Sequence, residues 1–196
     1  MAGTLDYLRW RGDLTFKEKP FNSVDASLFA SFIYLPVDKS AKGHTLSEVA
    51  EKLRVLPSFQ VQMHDETGAQ VLLLPKSPRL GNIEILNWTN RLEKDPYPLQ
   101  FTAATFRLDA TTILIVYRGT DSSIVGWKED FMMAFRRPVA SQEAAARYLT
   151  ELAGHWAGPI MVGGHSKGGN LAIYAAMNAD AKVQNRIRHI YSLDGP

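Results

Sequence analysis

The 196-residue sequence contains no cysteine, which excludes disulfides and cysteine-ligated metals and favours a reducing compartment such as the cytoplasm. It also lacks a long apolar run, since "ILIVY" at 113–117 is among the longest. A membrane-spanning helix needs roughly 18–20 apolar residues, so none is expected. Residues 1–20 lack a basic segment followed by an apolar one, which argues against a secretory signal.

The sequence also has no large excess of positive or negative charge. The 22 Lys and Arg residues nearly balance the 20 Asp and Glu residues, and the net charge is +2. Because the longest basic block is "FRRP" at 135–138, the sequence shows no electrostatic footprint for nucleic acid, and no such partner is expected. The hydrophobic content of 45% is typical of a globular chain with a substantial core, and the length suits a single domain.

The first half of the sequence is dominated by helical patterns. One helix is predicted over 25–35, with Asp25 as its N-cap. A second is predicted over 43–55, where Thr45 and Glu48 have the spacing of a capping box. A third is predicted over 81–94, ending before the prolines of "DPYP".

The pattern changes at residue 99. Residues 99–119 contain two β-rich runs around Leu108–Ala110, which predicts a hairpin. A helix over 141–154 with Ser141 as N-cap, a strand over 159–164, a helix over 170–179 and a strand over 187–196 are expected to follow. This alternation is typical of a parallel α/β sheet.

The segment "MVGGHSKGGNLAIYAA" at 161–176 places glycines, a serine and a lysine between a predicted strand and a predicted helix. A phosphate-binding loop requires the lysine after the final glycine, whereas the order here is Ser166-Lys167-Gly168. The dinucleotide pattern Gly-x-Gly-x-x-Gly also fails on spacing. Nucleotide binding is therefore disfavoured.

Gly164-His165-Ser166-Lys167-Gly168 does match Gly-x-Ser-x-Gly, the nucleophile elbow of α/β-hydrolases. Side chains two residues either side of the serine would collide where strand and helix converge, which explains the glycines. The amide of Lys167 would open the helix and is a candidate oxyanion donor. A glycine-rich turn that serves only packing is the structural alternative.

Four motifs occur in order along the chain: "LDYLRWRGDLTF", "YRGTDSSIVGWKEDF", "GHSKGGNLAIYAA" and "YSLDGP". Together they resemble the DUF2974 (Mbeg1-like) family of bacterial α/β-hydrolase-like proteins, related to lipase class 3. The resemblance implies an α/β-hydrolase-like, mostly parallel sheet with helices on both faces. It implies one domain over 1–196, with a helical part to about 98 and a sheet core from about 99. No cofactor or metal is expected.

The resemblance also implies roles for individual residues. Ser166 matches the nucleophile, and Thr120 matches the second oxyanion donor, with Gly119 letting the chain turn. Arg118 and Trp127 are expected to anchor the loop. Asp121 and Asp130 are expected at a turn and a helix start.

A serine nucleophile needs a base and usually an acid to orient it, in the chain order Ser, acid, His. After Ser166 only one histidine and two acids remain: His189, Asp180 and Asp194. His189 is expected at the start of the last strand, opposite the edge of the sheet where the serine lies. Asp194 is expected to line the site or, alternatively, to be the acid. His165 is expected to pack beneath the elbow, and the remaining histidines have no evident partner: His155, His64 and His44. Lys167 lacks the spacing of a base.

These residues predict a serine hydrolase of lipase/esterase type acting on a small-molecule or lipid ester, with its base and acid beyond residue 196. A C-terminally truncated fold is expected on the same grounds. The alternative is a non-catalytic domain that keeps the fold for binding or scaffolding.

Overall fold

The computed structural model describes residues 3–59, 66–94, 98–121, 123–135 and 138–196. In this part of the chain, eight α-helices and five strands follow one another as α1 (Thr4–Arg11), α2 (Ser23–Phe32), α3 (Leu46–Arg54), α4 (Glu66–Leu73), β1 (Glu84–Glu93), β2 (Leu99–Arg107), β3 (Ile113–Tyr117), α5 (Ile124–Met133), α6 (Ala140–His155), β4 (Ile160–His165), α7 (Lys167–Met177), α8 (Ala181–Gln184) and β5 (Ile187–Leu193).

The five strands form one sheet in the order β1-β2-β3-β4-β5. The first two pairings are antiparallel and the last two are parallel. The expected α/β fold is therefore present, but the sheet is mixed rather than mostly parallel. The predicted hairpin is confirmed as β2 and β3, whose turn is held by the Asp109 carboxylate accepting from the amides of Thr111 and Thr112.

Helices cover both faces of the sheet, as expected. Alternate residues of β2 and β3 point to opposite faces, so Ala104 and Phe106 pack in one core while Phe101 and Ala103 pack in the other. The first core lies against α2 and α3, and the second lies against α6 and α7. The apolar run of β3 is buried along its whole length because both faces are covered.

Residues 81–94, predicted as a helix, instead contain β1. The reason is a bulge between Ile85 and Asn87, which shifts the pairing with β2 by one residue. The bulge puts Ile85 and Trp88 in the same core although they are three residues apart. That spacing imitates the period of a helix in the sequence.

The helix ends differ from the sequence predictions in two places. Asn22, and not Asp25, caps α2, and Asp25 is the third helical residue of its capping box. Ser141 is not the N-cap of α6, which begins at Ala140. The capping box of Thr45 and Glu48 is confirmed at α3. No helix among the described residues is both long enough and apolar enough to cross a membrane.

A fully buried ion pair joins Asp25 of α2 to Arg79, with Nη2 and Oδ2 2.6 Å apart. The guanidinium also donates to four backbone carbonyls of the segment between α1 and α2, those of Leu14, Thr15, Lys19 and Pro20. The pair therefore fixes a stretch of chain outside regular secondary structure.

Replacement of Arg79 by methionine is expected to lower the free energy of unfolding by about 3–5 kcal/mol, because it leaves a buried carboxylate without a positive charge to balance it. Urea denaturation measures this change. Arg91 pairs with Glu93 at the surface, and the control Arg91→Met is expected to change stability by no more than about 1 kcal/mol. Equal effects of the two variants would contradict the prediction.

Candidate active site

Ser166 occupies the sharp turn between β4 and α7. Its backbone has φ 54° and ψ −129°, a combination that residues with a side chain rarely adopt. The turn is held on one side by the Ser166 amide, which donates to the carbonyl of Leu193 at the end of β5. On the other side, the Ser166 carbonyl accepts from Gly169 in the first turn of α7. This is the strand-to-helix turn expected from the sequence, and its backbone is strained.

The two flanking glycines are required by close backbone contacts. A Cβ on Gly164 would lie 2.5 Å from the carbonyl oxygens of both Gly168 and Tyr117. A Cβ on Gly168 would overlap with the Tyr117 carbonyl. The steric role predicted for Gly164 and Gly168 is therefore confirmed, and the obstacle includes the end of β3 as well as the elbow itself.

The loop after β3 lies directly against the elbow. A Cβ on Gly119 would be 3.4 Å from the Cβ of Ser166 and 2.6 Å from the carbonyl oxygen of His165. Gly119 does not have a positive φ, so its role is close approach and not the predicted turn. Thr120 follows at once, and its hydroxyl donates to the Asp130 carboxylate.

Arg118 and Asp121 brace this loop. Their ion pair measures 2.9 Å, and Asp121 also accepts from the amide of Ser123, the N-cap of α5. Burial acts to raise the pKa of Asp121, but the Ser123 hydrogen bonds and the Arg118 charge outweigh it and lower the pKa. The loop anchoring and the turn position expected for Arg118 and Asp121 are both seen.

The Lys167 side chain enters the protein interior. Its ammonium nitrogen lies 3.1 Å from Glu129 Oε2, 2.8 Å from Gln100 Oε1 and 3.2 Å from the Gln100 carbonyl oxygen. Lys167 is 2% exposed and Glu129 is 1% exposed. Sequence reasoning missed Gln100 and Glu129, since they precede the elbow by 67 and 38 residues.

Two expectations for α5 are wrong. Asp130 lies near the C-terminal end of the helix and not at its start. Trp127 is 67% exposed and does not anchor the loop. It forms, with Ile124 and Phe131, an exposed series at three- and four-residue spacing, here called the α5 apolar row.

Two cavities lie beside the elbow. One, of about 340 Å³, is lined by Ser166 itself together with residues of α5, α6 and α7, among them Met133, Gln142 and Asn170. The other, of about 450 Å³, is lined by Thr120 and His165 and by residues of α2 and α4 such as Ser31 and Thr67. Ser166 lines the first of these cavities, and its neighbour His165 lines the second.

The sequence comparison identifies the family. A sequence model of the Mbeg1-like family matches residues 74–196, which is more than half of the chain. The chain belongs to the Mbeg1-like family. No curated protein matches it.

Solved structures with similarity to this Mbeg1-like chain include fungal lipases. A deletion mutant of the Rhizomucor miehei lipase in complex with its propeptide is 18% identical, with a TM-score of 0.38, and the match covers 74% of this chain and 48% of the lipase. The lipase of Rhizopus microsporus var. chinensis is 15% identical, with a TM-score of 0.39 and coverages of 80% and 61%. The Mbeg1-like chain thus spans about half to three fifths of these lipases.

His165 does not pack beneath the elbow, contrary to expectation. Its side chain is exposed at the end of β4, and its Nδ1 lies 3.4 Å from the Tyr34 hydroxyl. Tyr34 follows α2, which packs across this face of the sheet, and burial raises the pKa of its hydroxyl, opposed by a hydrogen bond with the Gly119 backbone. Tyr34 is a site residue that sequence reasoning missed, because no motif marks it.

The other described histidines of the Mbeg1-like chain and Asp180 lie apart from Ser166. His189 is exposed on β5 and packs on Tyr191, His155 ends α6, His44 contacts Lys52, and Asp180 caps α8. His64 lies outside the described residues. Asp194 follows β5 beside the elbow, with a φ of 53°, and its exposed carboxylate makes no hydrogen bond or ion pair to any described residue.

Within the described ranges, no histidine hydrogen-bonds to the Ser166 hydroxyl. The same residues contain no cluster of three or more histidines and acids that could hold a metal.

The variant Gly168→Ala is expected to lower the free energy of unfolding by about 1–3 kcal/mol, since its methyl group overlaps with the Tyr117 carbonyl. Chemical denaturation measures the change. Gly154→Ala is the matched control, because a Cβ there meets nothing within 4 Å and the residue is helical. It is expected to be unchanged or more stable by up to about 1 kcal/mol. Wild-type stability of Gly168→Ala would contradict the steric account.

Proposed function

We propose that this Mbeg1-like protein is a serine hydrolase of lipase/esterase type that cleaves carboxylic esters. The Ser166 oxygen attacks the ester carbonyl and loses its proton to a base. The alcohol leaves with a proton, and water then hydrolyses the acyl-enzyme. The amides of Thr120 and Lys167 hold the negative oxygen of the tetrahedral intermediates.

The observation that supports this proposal most directly is the strained Ser166 backbone at a β4–α7 turn with a second loop packed on it. Strain of this kind persists only where the surroundings enforce it, and it concentrates at functional sites. The amide of Lys167 opens α7, where first-turn N–H groups have no partner within the helix and favour negative charge. The Gly119–Thr120 segment brings a second set of backbone groups to the same place.

The base and the acid are proposed to come from outside the described residues. His165 faces Tyr34, and the other described histidines lie apart from the elbow. Asp194 keeps the role of a residue that lines the site, since its backbone adjoins Leu193, the acceptor of the Ser166 amide.

The surroundings of the elbow favour an ester with an apolar acyl group, from a small molecule or a lipid. The α5 apolar row is exposed, and the same helix contributes Asp130 and Met133 to the cavity that contains Ser166. Contiguous apolar surface beside a cavity is a common mark of a binding site for apolar ligands.

A non-catalytic binding or scaffold domain is the second candidate. It is favoured by one observation, namely that the Ser166 hydroxyl has no histidine partner among the described residues. A binding domain needs the cavities but not an activated serine, so serine reactivity separates the two candidates.

In the full-length natural protein, Ser166 is expected to react with a fluorophosphonate probe and to support hydrolysis of p-nitrophenyl esters. Ser166→Ala is expected to abolish labelling and to lower kcat by at least about 10³-fold, since it removes the nucleophile. Mass spectrometry locates the label. Ser40→Ala, a surface serine far from the elbow, is the control and is expected to behave as wild type. A protein that is folded yet neither labelled nor hydrolytic would support the binding domain instead.

Substitution of Trp127 and Phe131 by serine is expected to lower kcat/KM for long-chain p-nitrophenyl esters about 10-fold or more relative to the acetate. Each large apolar side chain removed forfeits about 1.5–3 kcal/mol of burial when a long acyl chain is bound. Stability is expected to change little, because both side chains are exposed. Val55→Ser, another exposed apolar residue, is the control. An equal loss for short and long esters would argue against this role of the row.

A further inference from the structure

The buried Lys167–Glu129 ion pair makes several hydrogen bonds to other parts of the chain in addition to the contact between the two charges. The ammonium contacts β2 through the side chain and the carbonyl of Gln100, and it contacts α5 through Glu129. The Glu129 carboxylate in turn accepts from the amides of Gln100 and Ser141, the latter at the start of α6. One pair of charges therefore joins the elbow to three separate elements.

Net stability does not explain such a pair. Removing two charges from water costs several kcal/mol for each ion, and apolar side chains of similar size are often as good or better. What a fully hydrogen-bonded charge supplies is fixed geometry, since a shift of any partner leaves a buried charge unsatisfied. The partners of Lys167 and Glu129 thus indicate which backbone segments are held in place.

The segments held are the two that contain the proposed oxyanion donors. Lys167 itself supplies one amide. The Gly119–Thr120 segment is held by two hydrogen bonds. Gln100 Nε2 donates to the Gly119 carbonyl at 3.5 Å. Asp130, which is next to Glu129 in the sequence, accepts from the Thr120 hydroxyl. Asp130 Oδ1 is also 3.8 Å from the Lys167 ammonium.

We propose that Lys167 and Glu129 are positioning residues that set the distance between the two halves of the oxyanion hole. This inference rests on the proposed hydrolase function. The Lys167 ammonium hydrogen-bonds to Gln100 and Glu129 and not to Ser166 Oγ; the pair acts through the backbone of Lys167 and through the Gly119–Thr120 loop. Its loss separates the two amides and weakens binding of the transition state, while leaving both substrate cavities in place.

The test uses Glu129→Gln and Lys167→Met in the full-length natural protein, with Leu53→Ala as the control. Leu53 is buried in α3, so its truncation destabilises the fold without touching the elbow. Fluorophosphonate titration, run to completion well below the melting temperature, counts the active molecules, and the rate is expressed per active molecule. If the pair positions the two amides, all molecules of both charge variants are expected to react with the fluorophosphonate. Their kcat is expected to be about 10–100-fold lower than that of wild type, and their KM within about 2-fold of it.

Leu53→Ala is expected to keep the wild-type kcat per active molecule at a lower melting temperature. If the charge variants behave as Leu53→Ala does, with fewer active molecules and a normal rate for each, the pair is structural only and the inference is overturned. If Lys167→Met does not fold, Glu129→Gln, which keeps size and shape, decides alone.

A second measurement separates this inference from the proposed function. Amide hydrogen exchange of residues 118–121 needs no activity, and it is expected to rise about 10-fold or more in Glu129→Gln but not in Leu53→Ala. Unchanged exchange overturns the inference even in an active enzyme. Raised exchange in a protein that neither hydrolyses esters nor labels at Ser166 supports the coupling of the two segments and rejects the hydrolase.

Discussion

Three backbone segments meet within van der Waals distance at the end of β3, and the site depends on that contact. The Tyr117 carbonyl lies where a side chain of Gly164 or Gly168 would be. Tyr117 and Gly164 are also paired in the parallel register of β3 and β4. Because the strand and the helix close on this carbonyl, the serine between them is forced into its strained backbone. The same strand then continues into Gly119 and Thr120, so the loop that follows β3 begins already in contact with the elbow.

The regular parts of this architecture follow from local sequence patterns. The run "ILIVY" is apolar at every position because β3 has helices on both faces, and an unbroken apolar run of this length predicts such a strand. The spacing of Thr45 and Glu48 predicts the start of α3 because a capping box depends only on residues within one turn. Gly164 is predictable for a similar reason, because a Cβ there would collide with the backbone of Gly168 only four positions away. The Tyr117 carbonyl, which excludes a side chain at Gly168, is distant in sequence.

The parts that the sequence does not predict involve either an irregular backbone or contacts distant in sequence. The bulge in β1 gives a strand the apolar spacing of a helix. The sequence pattern therefore predicts a helix in place of β1, and it misses the antiparallel pairing of β1 with β2. Tyr34 meets His165 across 131 positions, and no property of residues near either one indicates the contact. Resemblance gives the position of Trp127 in the loop–helix segment but not the direction of its side chain. The motif around Ser166 indicates a role for the Lys167 backbone alone, although an acid that pairs with its side chain, Glu129, lies in the same motif as Trp127.

The two most buried ion pairs share one physical role. Arg79, paired with Asp25, hydrogen-bonds to carbonyls of the segment between α1 and α2. Lys167 and Glu129 hydrogen-bond to backbone groups of β2 and of the start of α6. The carbonyls bound by Arg79 lie outside helices and strands, and the groups bound by Lys167 and Glu129 lie in the first two residues of β2 and α6. At such places amides and carbonyls lack some of the regular partners that secondary structure provides. Apolar packing is non-directional and cannot place such groups to within a fraction of an ångström, whereas a buried charge with several hydrogen bonds can. Packing thus shapes the regular sheet and helices, and buried charge defines the irregular backbone on which an enzyme's electrostatics would depend.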